Sequence, residues 1–311
     1  RESSRIHRME LRSGEHLLEL DDPTSSSMAP IFSDTWLGTE LWPAARALVA
    51  LLEERRTALA SAAQVLELGA GTGACGLAAA ALGARRVLLT DKPVLLPLMR
   101  ANVAANRFDS GGGCVVECAE LTWRSRADER RSAGDEHAEH DEEHDVEHAS
   151  EGAELPTLLP AGADLVLASD CLNPVYGDGH AAALAATIHH ALSLAAAAAV
   201  AAYPPSAAAG GAPEALLAQT RRGDMCAESD FFAACDRLGL QPALLRLSAV
   251  TEGGGGGEGE GGCGRSDGGG AGGGGGEGGC HVRTLEGEAA AAACTAQVVA
   301  LYSLRLHAAP A

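Results

Sequence analysis

Three glycines at alternate positions, Gly69, Gly71 and Gly73, form the stretch of this sequence best suited to holding a ligand. They follow a short apolar run, residues 65–68, and an alanine-rich segment typical of a helix comes after them. A strand, a glycine turn and a helix in this order bring a ligand close to bare backbone. A second apolar run ends at Asp91, 22 residues after Gly69. A carboxylate at about this distance binds the ribose in nucleoside-binding βαβ units, so the spacing predicts a nucleoside site.

The acid inside the first apolar run, Glu67, indicates which nucleoside is bound. A dinucleotide fingerprint places its third glycine three positions after the second, whereas Gly73 is only two positions after Gly71. A carboxylate at the end of this strand would repel a pyrophosphate but would attract an ammonium group. The methionine part of S-adenosyl-L-methionine carries such a group. The segment resembles motif I of the seven-strand, Rossmann-like methyltransferases, and this resemblance implies S-adenosyl-L-methionine as the cofactor.

Further motifs flank the glycine turn in a characteristic order. They are Gly38-x-x-Leu41-Trp42-Pro43, Thr90-Asp91, Asn102 and Asn106, Leu121-Thr122-Trp123, and Ser169-Asp170. This series resembles the family-16 methyltransferases, the methyltransferase-like group that contains many protein-lysine N-methyltransferases. The likeness covers residues 38–124 and 163–250 together with the final strand.

The resemblance implies a set of cofactor-binding residues. In it the acid after the second strand accepts hydrogen bonds from both ribose hydroxyls, and two tryptophans line the pocket, where an aromatic face attracts a sulfonium cation. For each tryptophan the alternative is a packing role in the core or at the rim. The expected cofactor-binding residues are Trp42, Glu67, Gly69, Gly71, Gly73, Asp91, Trp123 and Ser169.

The expected catalytic residues are Asp170, Asn173 and Tyr176, at the end of the fourth predicted strand. A carboxylate there would hold an amine and stabilise the positive charge that develops on methyl transfer. The family pattern Asp-x-x-Tyr is broken here, because Asn173 stands in place of the tyrosine. Residues 173–176 also resemble the Asn-Pro-Pro-Tyr box of methyltransferases that act on amide or base nitrogens. A purely structural turn through Asn-Pro is the alternative.

These residues lead to a functional hypothesis with two alternatives. We expect an S-adenosyl-L-methionine-dependent N-methyltransferase that modifies a lysine side chain of a protein. The first alternative is a methyltransferase for a small molecule or for another protein nitrogen. The second is a catalytically silent module that binds the cofactor and serves interactions, which the altered Asp-x-x-Tyr pattern favours. All three hypotheses are compatible with the intact glycine turn, so the turn does not distinguish between them.

Composition restricts the partners and the compartment. The net charge of −19 is concentrated in residues 127–155, which hold twelve acids and two arginines. No basic patch indicates nucleic acid as a partner, and the acidic segment would steer basic proteins. Nine scattered cysteines without Cys-x-x-Cys pairs are typical of a reducing compartment. We expect a cytoplasmic monomer with a protein substrate and no membrane span, because no apolar run is long enough.

Apolar runs that alternate with helical patterns predict the fold class. We expect an α/β fold: a Rossmann-like seven-strand methyltransferase sheet with helices on both faces and two low-complexity insertions. Residues 1–37 are an N-terminal extension and residues 38–311 the methyltransferase domain, with disordered insertions at 125–155 and 252–282. After a helix at 179–194 we predict a strand at 196–203, and we predict that the next helix begins at Ser229 or Asp230.

Four histidines in the acidic insertion, His137, His140, His144 and His148, are spaced by three, four and four residues. On a helix they would share one face, where they could bind zinc or nickel. The dense acids around them oppose an isolated helix by repulsion. Methyl transfer of the expected type needs no metal, so we expect no metal site.

Overall fold

The structure is a computed structural model that describes most of the chain outside the two predicted insertions. The described residues are 7–13, 16–22, 34–62, 64–106, 113–123, 155–176, 179–202, 211–223, 226–251, 281–285 and 297–307.

Within the ranges that the structure describes, ten strands form two sheets. They are β1 (His7–Ser13), β2 (His16–Asp22), β3 (Val65–Leu68), β4 (Arg86–Asp91), β5 (Val115–Glu120), β6 (Leu165–Ser169), β7 (Glu214–Thr220), β8 (Leu240–Thr251), β9 (His281–Leu285) and β10 (Gln297–Leu306). The first two pair as an antiparallel hairpin. The other eight form one sheet in the order β5-β4-β3-β6-β7-β10-β8-β9. Strands β3 to β7 are parallel to one another, and β10 runs antiparallel to both of its neighbours.

Eight α-helices are described. They are α1 (Asp34–Thr39), α2 (Pro43–Glu54), α3 (Arg56–Ser61), α4 (Ala74–Ala81), α5 (Leu96–Asn106), α6 (Leu155–Leu158), α7 (His180–Ala201) and α8 (Cys226–Leu238). Short 3-10 turns lie at Pro93–Leu95 and Pro174–Tyr176. Pro43 begins α2 because proline suits the first turn of a helix, where its missing N–H leaves no bond unmade.

Alternate residues of the central strands point to opposite faces of the large sheet. In β3, Val65 belongs to a core cluster under α2 and α4, whereas Leu66 and Leu68 belong to a second cluster with α7 and α8. The same alternation holds in β6, where Leu167 and Val166 belong to different clusters. A strand buried on both faces reads as a continuous apolar run, which is how β3 and β6 appear in the sequence. The α/β fold with helices on both faces is confirmed.

The predicted strand at 196–203 is wrong. Residues up to Ala201 continue α7, and the strand that follows is β7, Glu214–Thr220. Alanine favours helix more than any other residue, so the alanine-rich run extends the helix instead of forming a strand. The helix predicted from Ser229 or Asp230 begins earlier, at Cys226.

Among the described helices, α7 has the length and apolar composition to cross a membrane. Its Leu184, Ile188 and Leu192 are fully buried in the core cluster that includes β6 and β7. Through these residues α7 packs on the large sheet.

The predicted insertions contain few described residues. Strand β9 starts at His281, within the segment 252–282 that we predicted as disordered, and pairs with β8 at the edge of the sheet. Short helix α6 begins at Leu155, the last residue of the first predicted insertion. The rest of both segments, including the four histidines, lies outside the described residues.

The N-terminal hairpin is joined to the glycine turn by two asparagines. The side chain of Asn106 accepts a hydrogen bond from the Glu19 amide at 2.9 Å and donates to the Glu19 carbonyl at 2.7 Å. It also donates to the carbonyl of Asn102, whose own amide donates to the Thr72 carbonyl at 2.8 Å. On either side of Glu19, Leu18 and Leu20 are buried in the core. These bonds hold the turn against α5.

Replacing Asn102 with alanine should destabilise the fold. Asn102 is fully buried, and Asn102→Ala leaves the Thr72 carbonyl without this donor. We expect the free energy of unfolding to fall by about 1–3 kcal/mol, as measured by urea denaturation. Arg100→Ala, at an exposed position on the same helix, is the control and should change it by less than about 0.5 kcal/mol. Equal effects of the two substitutions would contradict this role for Asn102.

Candidate active site

A cavity of about 290 Å³ opens at the carboxyl ends of β3, β4 and β6. The chain leaves β3 toward β4 on one side and β6 lies on the other, so the cavity is at the point where the strand order reverses. Open α/β sheets bind their ligands at such a point. Nine of the eleven predicted site residues line this cavity: Trp42, Glu67, Gly69, Gly71, Asp91, Trp123, Ser169, Asp170 and Tyr176.

The glycine turn forms the floor of the cavity and has no room for side chains. Gly69 and Gly71 adopt φ angles of 61° and 53°, in the left-handed region that glycine enters without steric cost. A Cβ atom at Gly71 would lie 2.6 Å from the Gly38 carbonyl oxygen, and one at Gly69 would lie 2.9 Å from Sγ of Cys171. The turn therefore exposes backbone to the cavity while the segment before α2 packs directly on it.

Glu67 is buried beneath the turn and lines the cavity. It is 1% exposed, and its carboxylate accepts a hydrogen bond from the Gly76 amide, near the start of α4, at 2.7 Å. Burial raises the pKa of Glu67 from 4.5 to about 8, and the hydrogen bond to Gly76 offsets only part of this effect. Near neutral pH the side chain can hold a proton and can release it when a cation binds.

Asp91 extends from the end of β4 to the wall of the cavity. One carboxylate oxygen accepts a hydrogen bond from the Gly71 amide and the other from the Lys92 amide, both at 2.7 Å. These bonds fix the carboxylate beside the glycine turn. The carboxylate lines the cavity, and a carboxylate is an acceptor for the hydroxyl groups of a ligand.

Aromatic side chains form two parts of the cavity wall. Trp42 is anchored by its indole N–H, which donates to the Leu37 carbonyl at 2.8 Å. On the other part, the His180 ring lies between Trp123, at 4.8 Å between ring centroids, and Tyr176, at 4.7 Å. The Trp123 indole N–H is buried and has no hydrogen-bond partner in the part of the chain that the structure describes. An acceptor on a bound ligand would satisfy it.

Asp170 occupies the predicted position at the end of β6, and its carboxylate is already engaged. Its side chain is 4% exposed and pairs with both terminal nitrogens of Arg222, at 2.9 and 3.0 Å. The Thr220 amide and hydroxyl donate two further hydrogen bonds, at 3.2 and 2.9 Å. These four bonds use the acceptor capacity of a carboxylate. In this conformation the Asp170 carboxylate therefore accepts its hydrogen bonds from Arg222 and Thr220.

Two predicted site residues lie outside the lining. Gly73 precedes α4 and its φ angle of 79° closes the turn, while the Asn173 side chain accepts a hydrogen bond from the Val175 amide. The Asn173 contact is the one expected of the structural-turn alternative. Sequence analysis did not identify His180 or Arg222. His180 begins α7, and Arg222 follows β7, the strand that was predicted at the wrong place.

Comparison with known families identifies the part of the chain that forms most of this cavity. Residues 33–137 match the sequence model of a family described as lysine methyltransferase. The match covers about a third of the chain. The matched segment contains Trp42, the glycine turn, Asp91 and Trp123, whereas Ser169 and Asp170 follow it in the chain. The family resemblance read from the sequence is confirmed over residues 33–137, which include the glycine turn.

Three known proteins are similar to this chain to different extents. The chain is 41% identical over 88 residues to the protein N-lysine methyltransferase METTL21A of Danio rerio. These 88 residues cover 28% of this chain and 39% of that protein. A SAM-dependent methyltransferase structure from Agrobacterium tumefaciens has a TM-score of 0.41 at 12% identity, covering 95% of this chain and 69% of that one. A ribosomal protein L11 methylase structure from Lactobacillus delbrueckii has a TM-score of 0.32 at 14% identity, covering 78% and 70%. The fold assignment rests on the strand order, not on these scores.

The buried Glu67 gives the unfolding free energy a distinctive pH dependence. Because its folded pKa is raised, the stabilisation is fully present below pH 4.5 and is lost as pH rises through about 8. The variant Glu67→Gln keeps an acceptor for Gly76 and cannot ionise. Urea denaturation should therefore show wild type losing on the order of 3 kcal/mol relative to the variant between pH 5 and pH 8. A difference that stays constant over this range would contradict a neutral, buried Glu67.

Proposed function

We propose that the chain is an S-adenosyl-L-methionine-dependent protein N-methyltransferase with a lysine side chain as methyl acceptor. The observation that carries the proposal is the match of residues 33–137 to the lysine methyltransferase family, since these residues supply the floor and most of the wall of the cavity. The relative METTL21A is a protein N-lysine methyltransferase by its name.

The residues around the cavity suit this cofactor. S-adenosyl-L-methionine would supply a methyl group on a sulfonium sulfur. The amine nitrogen would bond to this methyl carbon as the carbon–sulfur bond breaks, and S-adenosylhomocysteine would leave. Asp91 would accept hydrogen bonds from the ribose hydroxyls, and the bare backbone at Gly69 and Gly71 would allow the ligand to approach closely. The carboxyl group of Glu67 would favour the ammonium group. The indole N–H of Trp123 would donate to an acceptor on the ligand.

The acceptor lysine must reach the cavity in its neutral form. A lysine amine has a pKa of about 10.4 and is mostly protonated at neutral pH. Burial against the aromatic walls would remove the amine from water and thereby disfavour its charged form. Tyr176 lines the cavity next to His180, on a lip that carries the exposed Val175. We place the acceptor side chain at this lip, beside Asp170.

One observation favours a second candidate function. The four hydrogen bonds on Asp170 leave its carboxylate without an acceptor position for an amine in the present conformation. A catalytically silent module that binds the cofactor and another protein would have no need for such a position. The protein N-methyltransferase is expected to transfer a methyl group to protein, whereas the silent module is expected to transfer none.

The proposal extends to the partners and the compartment. We propose a protein substrate, favoured when it is basic, because Glu40 and Asp91 line the cavity and the chain has a net charge of −19. We also propose a cytoplasmic monomer that acts without nucleic acid. The described cysteines, among them the buried Cys75 and Cys171, are all free thiols, as is typical of a reducing compartment.

Incubation with tritiated S-adenosyl-L-methionine and a whole-cell lysate tests the proposal. Label should appear in protein, and acid hydrolysis of the labelled protein should release it as methyl-lysine. Label recovered only in small molecules would identify the small-molecule methyltransferase instead. If the protein binds S-adenosylhomocysteine in calorimetry but transfers no label, the silent module is the correct function.

Replacing Asp170 with asparagine tests its predicted catalytic role. Asp170→Asn keeps the shape of the side chain and removes its charge. We expect label transfer to protein to fall by roughly 10²-fold, the scale of losing one preorganised electrostatic contact. Asp164→Asn, just before the opposite end of β6, where the side chain accepts a hydrogen bond from the Gln64 amide, is the matched control. Full transfer by Asp170→Asn would remove this residue from the catalytic set.

A further inference from the structure

Arg222 contacts two walls of the cavity at once. Its guanidinium makes a bidentate pair with Asp170, at 2.9 and 3.0 Å, and its central carbon lies 5.8 Å from the centroid of the Trp42 ring. Asp170 comes from the end of β6 and Trp42 from the segment before α2, so they are far apart in the chain. Both side chains line the cavity.

Arg222 makes a bidentate bond to a buried carboxylate and also contacts an aromatic ring. The Asp170 side chain is 4% exposed, so its charge is removed from water and depends on this partner. The planar guanidinium fork matches a carboxylate with two parallel bonds, and its face interacts with an aromatic ring. The Arg222 side chain is 32% exposed, so it is partly accessible to solvent.

The local backbone also depends on this contact. Asp170 has a φ angle of 55°, a left-handed conformation that non-glycine residues rarely adopt. Its amide donates to the Ala218 carbonyl at 2.8 Å, and its carboxylate accepts from the Thr220 amide. The ends of β6 and β7 are thus joined through Asp170, and Arg222 completes the connection by binding the same carboxylate.

We propose that Arg222 is a positioning residue that fixes Asp170 and Trp42 relative to each other and thereby sets the width of the cavity at its acceptor end. The proposal rests on the cofactor proposed above. The proposed role of Arg222 requires the shape of the guanidinium group as well as its positive charge. A lysine ammonium is a point charge, so it cannot make two parallel bonds while stacking on an indole.

Calorimetry with S-adenosylhomocysteine tests the proposal on four proteins: wild type, Arg222→Gln, Arg222→Lys and Arg221→Gln. We expect Kd to rise roughly tenfold in both Arg222 variants, the usual size of a coupling between contacting residues. Arg221→Gln removes the same charge from the adjacent exposed residue and should leave Kd within about twofold. A wild-type Kd in Arg222→Gln, or full rescue by Arg222→Lys, would overturn the proposal.

A measurement without ligand separates this proposal from that of the function. The Thr220 amide is bonded to Asp170, so its hydrogen exchange reports whether the carboxylate stays in place. Exchange should be roughly tenfold faster in both Arg222 variants and unchanged in Arg221→Gln. Wild type that fails to bind S-adenosylhomocysteine would contradict the proposed function, and the exchange rates would then decide the role of Arg222. Unchanged exchange in both Arg222 variants would overturn that role.

Discussion

The close approach of two backbone segments at the glycine turn is the constraint on which the site depends. The Gly38 carbonyl packs where a side chain at Gly71 would stand, and the amide of Gly71 binds the Asp91 carboxylate. This one turn therefore brings together the segment that carries Trp42, the end of β3 and the end of β4. Any side chain at Gly71 would separate them, and its φ angle of 53° adds backbone strain for other residues.

The sequence predicts the central strands well because their signals are local. Residues of β3, β4 and β6 form short apolar runs that end in glycine or an acid, and the structure confirms all three. The error at 196–203 has a physical cause. An alanine run lacks the β-branched and aromatic side chains of most strands, and its apolar character alone does not separate a buried strand from a core helix. The actual strand, Glu214–Thr220, lies beyond this run and was missed.

The part of the cavity around the glycine turn is predictable for the same reason, since Glu67, Gly69 and Asp91 are recognised by spacing along one βαβ unit. The part around Asp170 depends on tertiary contacts. Arg222 binds Asp170 across 52 residues of sequence, and it follows a strand whose position was predicted wrongly. No local pattern indicates that the Asp170 carboxylate would be occupied by four hydrogen bonds. The family match shows the same asymmetry, because it ends before β6.

The central claim is that Asp91 binds the ribose of S-adenosyl-L-methionine in this cavity. Calorimetric titration of wild type and Asp91→Ala with this cofactor tests it most directly. Glu120→Ala, at the paired position of the neighbouring strand, is the control. We predict that Asp91→Ala loses about 2 kcal/mol or more of binding free energy, which is roughly a 30-fold increase in Kd, while the control binds normally. Equal affinity of wild type and Asp91→Ala would contradict the account.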